Sequence, residues 1–187
     1  RKIMSAEAVA AAPIAEEATP VVYYSIESND RVVLKISEQA IKQSATLSNS
    51  ITNLGYSAEN AESMVPIPIE KVNGKTLKLV VEWCEHHKAD PVPEAYPSGN
   101  TVLPVWDRKF VDIEHDALTD LVNASNFLEV MTLLTYCCKF IAGLAKGMSP
   151  EEMRVFFCIP TDEEDEKAER FGKEKTEASA TSADTTA

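Results

Sequence analysis

Cys137 and Cys138 stand side by side, Cys84 and Cys158 are isolated, and His86 and His87 form a second adjacent pair. A thiol near an imidazole is the raw material of nucleophilic catalysis, and cysteine with histidine is the raw material of a zinc site. The spacing suits neither. The four cysteines contain no C-x-x-C pair and are too sparse for a secreted disulfide framework, so a reduced, intracellular protein is expected. Successive residues on a helix point about 100° apart, so His86 and His87 cannot readily share one metal, and a solvated helix end is the plainer expectation. Cys137 and Cys138 lie in an apolar helical stretch, where burial raises a thiol pKa and disfavours the reactive thiolate. A thiol or metal enzyme using Cys137 or Cys138 with His86 or His87 therefore stands only as the remote alternative. No catalytic residue, metal ligand or cofactor is assigned.

What the elements must position is apolar surface. Residues 121–157 carry more large apolar side chains than one small domain covers unaided, which points to a protein partner. The 187 residues carry a net charge of -12 with a pI near 4.7, whereas phosphate binding needs clustered Lys and Arg; nucleic acid is excluded as a direct ligand. Residues 130–144 are interrupted by Thr132, Thr135, Tyr136 and Lys139, so no run approaches the roughly 20 apolar residues of a membrane span. The first residues lack the apolar centre of a signal peptide, and a soluble protein is expected. One domain with extensions fits the length.

Along the chain, residues 1–20 are rich in Ala, Glu, Thr and Pro and read as a disordered extension. Residues 21–26 and 31–36 are β-branched and aromatic around Ser28-Asn29-Asp30, which predicts a hairpin. Ser37 is positioned to cap one helix running past Ile41 and Ile51 to Leu54-Gly55, and Pro66-Ile67-Pro68-Ile69 reads as an edge strand. Leu77, Val80, Val81 and Cys84 form the apolar stripe of a helix over residues 76–88, with Trp83 core or lip. Residues 90–104 are expected to form a long surface loop, leading through Trp106 and Phe110 to helices over 114–124 and 129–146. Gly147 ends the second of these, and Ser149-Pro150-Glu151-Glu152 has the form of a capping box for a last short helix that stops at Ile159-Pro160. Residues 162–170 are highly charged and read as an initial helical turn, and 171–187 read as a disordered tail.

Glu82-Trp83-Cys84-Glu85-His86-His87-Lys88-Ala89-Asp90-Pro91, Pro104-Val105-Trp106-Asp107, Ala124-Ser125-Asn126-Phe127-Leu128 and Lys146-Gly147-Met148-Ser149-Pro150-Glu151-Glu152-Met153-Arg154 together resemble the Skp family of adaptors, subunits of cullin-RING ubiquitin ligases. The resemblance spans residues 21–159. It implies an α+β fold: a BTB/POZ-like domain with a three-stranded sheet over residues 21–146, then C-terminal F-box-binding helices over 147–170. It implies a non-catalytic adaptor linking a cullin N-terminal domain to F-box substrate receptors, with cytoplasmic and nuclear location. Asn126 and Phe127 match the Asn-aromatic pair that touches the cullin, with Phe where the family often has Tyr. Leu133, Leu134, Cys138, Ile141, Met148, Met153, Phe156, Phe157 and Ile159 match the segment that interdigitates with F-box helices. Packing inside the chain itself is the competing account of Phe127 and of several of these apolar residues.

The sequence departs from the family in Met148, where Lys is common, and in Cys137-Cys138, where Thr-Cys is common. Family members usually close with an acidic segment, a further helix and a Trp-Cys pair. Here residues 162–166 are acidic, but 167–187 contain neither Trp nor Cys, so a divergent paralogue with an altered F-box repertoire is expected. A self-associating BTB/POZ module or an elongin-C-like adaptor is the nearer alternative; the Ser149 capping box favours the F-box reading.

Overall fold

Strand β1 (Tyr23–Ser28) turns Tyr24, Ile26 and Ser28 inward, and β2 (Val33–Ser37) pairs with it antiparallel, Tyr24 opposite Ile36 and Ile26 opposite Leu34. The computed structural model describes residues 21–161 apart from 58, 62 and 98–100. The expectations for residues 1–20, 162–170 and 171–187 lie outside that set. Side chains fasten the expected hairpin: the Ser28 hydroxyl donates to Asp30 at 2.5 Å and accepts the Val32 amide at 3.0 Å. The same Asp30 oxygen accepts the Gly74 N–H at 2.7 Å, tying the turn to the start of a helix. The Ser28 hydroxyl foremost, with the Gly74 amide, holds the Asp30 carboxyl below its usual range. Strand β3 (Ile67–Ile69) pairs in parallel with β1, giving the order β2-β1-β3. Pro68, with no N–H to offer a ladder, thus sits on an edge strand.

The single helix expected after Ser37 is two. Helix α1 (Glu38–Ile41) is capped by Ser37 and stops, and α2 (Ala45–Leu54) starts afresh with Ser44 accepting the Leu47 N–H. The break has a tertiary cause. The Ser44 hydroxyl donates to the Leu128 carbonyl at 2.5 Å, and Gln43 donates to the carbonyls of His87 and Asp90. Bonds to distant backbone outweigh one more helical turn, and Ser44 is a residue type that readily caps. Gly55, at φ 70°, closes α2 in the left-handed conformation that glycine adopts without a Cβ penalty.

Helix α3 (Gly74–His86) begins at Asn73, whose side chain accepts the Thr76 N–H at 2.8 Å, and buries Leu77, Val80, Trp83 and Cys84. Trp83 is core, 1% exposed. Residues 105–110, expected only as a lead-in, form a helix of their own, α4 (Val105–Phe110). Helix α5 (His115–Phe127) runs past the expected end at Ala124, because Ser125 is buried and satisfies its hydroxyl on the Leu121 carbonyl at 2.6 Å, within the helix. Glu129, expected to open the next helix, instead takes φ 52° and ends α5: the Val130 N–H returns to Ser125 and the Glu129 N–H to Asn126. That double bond pattern is a Schellman closure with glutamate in the place glycine usually holds. Helix α6 (Met131–Ala145) follows.

Internal contacts divide the chain between Cys137 and Cys138, inside α6 and ahead of the expected boundary at 146/147. The first unit holds the core, with Ile26, Ile36, Leu47, Leu77, Trp83, Leu118, Leu121, Leu128 and Leu133 among its fully buried side chains. In the second, Gly147 takes φ 95°, and α7 (Pro150–Phe156) opens on the expected capping box. Ser149 accepts the Glu152 N–H at 3.2 Å, and the Glu152 carboxylate accepts the Ser149 N–H at 2.7 Å. The helix ends one turn before Pro160, because Cys158 adopts φ 52° and the Ile159 N–H folds back to Arg154.

Candidate functional site

The paired histidines are not a solvated helix end. His87 Nε2 lies 3.1 Å from Asp107 Oδ1 and its Nδ1 lies 2.6 Å from Asp90 Oδ2, while its ring stacks on Trp83 at 4.2 Å. Asp107 Oδ1 also accepts the Trp83 indole N–H at 2.7 Å. His86, although exposed, stacks on Trp106 at 3.6 Å, and Trp106 stacks on Phe110 at 5.0 Å. Helix α4 is therefore riveted to the end of α3 by one carboxylate and a ladder of rings. Carboxylate and imidazole are components of a proton relay, but both nitrogens of His87 face carboxylates, leaving neither to act on a nucleophile.

The thiols are no better placed for chemistry. Burial pushes the Cys84 thiol up to about 12, with Glu85 adding to the shift. Cys137 is buried, but Cys138, expected to share that burial, is exposed, because the neighbouring positions of one helix point to different sides. Among the described residues no group of three or more His, Cys, Asp or Glu side chains could hold a metal, and no helix is long and apolar enough to cross a membrane.

Surfaces suited to adhesion are better developed. At the end of α5, Asn126 is exposed and Phe127 half-buried. Their backbone is clamped from α2: the Thr46 hydroxyl donates to the Phe127 carbonyl at 3.2 Å, beside the bond from Ser44 to Leu128. The Lys71 ammonium lies 5.4 Å from the centre of the Phe127 ring. Next to this pair a polar recess of about 130 Å³ is bordered by Lys71, Asn73, Thr76, Asp120 and Asn123, with Asn73 donating to Asp120 at 3.3 Å. Sequence reasoning misses Lys71, because it comes from the β3–α3 connection and no local pattern ties it to α5.

The nine apolar residues expected to meet an F-box fall in both units. Leu133 is corrected: at 0% exposed it is part of the first unit's core and has no surface to offer a partner. Its periodicity was indistinguishable from that of a contact residue, because both kinds lie on apolar stripes. Leu134 is half-buried in the same unit. In the second unit Ile141, Met148 and Phe156 are half-buried, whereas Cys138, Met153, Phe157 and Ile159 are exposed. Helix α7 buries no residue at all, and Val155, absent from the expected set, is its most open apolar side chain at 81%. An open cleft of about 690 Å³ is lined by Glu151, Arg154, Val155, Cys158, Ile159, Pro160 and Thr161.

Comparison with known proteins accounts for both parts. Residues 24–89 match the tetramerisation domain of the Skp1 family, and residues 131–178 match its dimerisation domain. The chain is 36% identical over 155 residues to the E3 ubiquitin ligase complex SCF subunit sconC of Arthroderma benhamiae, covering 80% of this chain and 91% of the relative. It is 34% identical to the protein of the same name from Talaromyces stipitatus, over 80% and 92% of the two chains. A Skp1-related protein of Caenorhabditis elegans is 32% identical over 80% of this chain and 87% of its own. With a three-stranded sheet packed against helices, matches to both family domains and relatives aligned over nearly their whole length, the chain belongs to the Skp1 family.

Proposed function

We propose that this protein is a non-catalytic adaptor subunit of an SCF-type E3 ubiquitin ligase complex, joining the N-terminal domain of a cullin to F-box substrate receptors. The observation that carries the reading is the presence of both family parts in order on one chain, residues 24–89 and 131–178. The relatives named as SCF subunits support the complex, and the site geometry supports adhesion as the activity. In this reading Asn126 and Phe127 meet the cullin. Leu134, Cys138, Ile141, Met148, Met153, Phe156, Phe157 and Ile159, joined by Val155, form the F-box side. The adaptor works in the cytoplasm and nucleus.

An adaptor accelerates ubiquitin transfer without chemistry of its own, by holding the substrate receptor near the charged enzyme and raising the effective concentration of the acceptor lysine. Large apolar and methionine side chains on a short helix suit this role, since each buries well and methionine adapts to differing partners. The test is co-purification of the full chain with a cullin N-terminal domain and an F-box domain, followed by light scattering on a sizing column. One ternary species containing one copy of each supports the reading. A homo-oligomer that ignores both additions overturns it.

A further inference from the structure

The polar recess beside Phe127 has a composition that core packing does not explain. Asp120, Asn123 and Phe127 recur along α5 at helical spacing, so the recess and the aromatic lie on one continuous strip of the helix. Lys71 borders the recess and covers the Phe127 ring, joining the two. Among the described residues the Lys71 ammonium forms no ion pair, and the Asn123 carboxamide makes no hydrogen bond, although Asp120 across the recess is engaged by Asn73. Lys71, Asp120 and Asn123 are all exposed. Donors and acceptors are thus presented together in a space of about 130 Å³, with Lys71 and Asn123 making no ion pair or hydrogen bond among the described residues. Small-molecule sites run to roughly 300–1,000 Å³ and are mostly apolar, so the size suits the tip of one side chain.

We propose that the cullin-facing surface continues from Asn126 and Phe127 into this recess, where a neutral hydrogen-bonding side chain of the scaffold, an asparagine or glutamine, docks between Lys71, Asn123 and Asp120. A carboxamide is the group that accepts from the ammonium and the Asn123 amide while donating to the Asp120 carboxylate. A carboxylate would meet Asp120, and an ammonium would meet Lys71, each with like-charge repulsion. The inference rests on the reading that Asn126 and Phe127 meet the cullin, and Lys71 contributes twice, as a contact and by positioning the Phe127 ring.

The test measures affinity of the full chain for a cullin N-terminal domain by calorimetry, at low and high salt, for wild type, Lys71→Met, Asn123→Leu and Phe127→Ala. Methionine keeps the stem of Lys71 and removes its charge; both recess positions are exposed, and a thermal melt confirms that the variants fold. Loss of one or two such hydrogen bonds corresponds to roughly fivefold to tenfold weaker binding for Lys71→Met and Asn123→Leu. The salt dependence should stay as in wild type. Wild-type affinity in both recess variants, with Phe127→Ala still weakened, overturns the extension and leaves the adaptor reading standing. A steep salt dependence abolished by Lys71→Met overturns the neutral occupant in favour of an acidic one. Failure of the wild-type chain to bind any cullin domain overturns the adaptor reading and the extension together.

Discussion

Asp107 accepts from the Trp83 indole and lies within hydrogen-bond reach of His87 through one oxygen, while its other oxygen is buried with no partner among the described residues. Removing the carboxylate strands an indole N–H in a closed core. Asp107→Ala is expected to cost about 2–4 kcal/mol, the penalty for an unsatisfied buried polar group plus lost packing, whereas Asp107→Asn keeps an acceptor and costs about 1 kcal/mol. Urea unfolding followed by tryptophan fluorescence measures both. Burial also orders the thiols. Cys84, pushed up to about 12, and Cys137 should resist alkylation in the native protein, while Cys138 and Cys158 react. Mass spectrometry after brief alkylation at neutral pH reads this pattern, and fast labelling of Cys84 would contradict it.

Helix ends carry the lessons at the scale of elements. The Ser149 N–H, foremost, and the Ser149 hydroxyl hold the Glu152 carboxyl below its usual range. A depressed carboxylate pKa means that the capping box contributes fully above the unfolded glutamate value, about 4.3, and is lost as pH falls through the lower folded value. Amide shifts of α7 should therefore move as the pH falls below the unfolded glutamate value, about 4.3, and Glu152→Gln should remove that transition. Ser149→Ala should weaken α7 by about 1 kcal/mol, read by amide exchange. At Gly74, an added Cβ would sit 2.7 Å from Val32 Cγ2 and 2.9 Å from Val32 Cβ. Gly74→Ala must push the β1–β2 turn away from α3 and is expected to cost about 1–3 kcal/mol in thermal unfolding. Conversely, Glu129→Gly relieves a left-handed glutamate and should stabilise by about 1 kcal/mol. The hairpin turn, the edge proline and the Ser149 box were legible because each signal acts within a few residues. The break at Ser44 and the stop at Glu129 were not, since the first depends on Leu128 and the second uses a residue that seldom ends helices.

For the whole molecule, the adaptor reading places the cullin side, Asn126 and Phe127, in the first unit and the F-box side, apart from Leu134, in the second. Phe127→Ala should weaken cullin binding at least tenfold while leaving F-box binding intact, as expected for an aromatic anchor. Val155→Glu, at an exposed position of α7, should do the reverse, placing a charge where an apolar contact is needed. Co-purification of each variant with both partners checks the separation; loss of both partners from either variant would contradict it.

The sequence alone determined the α+β class, the hairpin, the apolar stripe of α3, the capped start of α7 and the family resemblance. These rest on periodicity, turn chemistry and residue identity, which are properties of short stretches. Tertiary structure decided that Leu133 is core, that residues 105–110 form α4 and bind α3 through Asp107, and that Lys71 covers Phe127. An apolar stripe says which side of a helix avoids water but not whether its own chain or another covers it. That distinction depends on groups far apart in sequence being brought together by the fold.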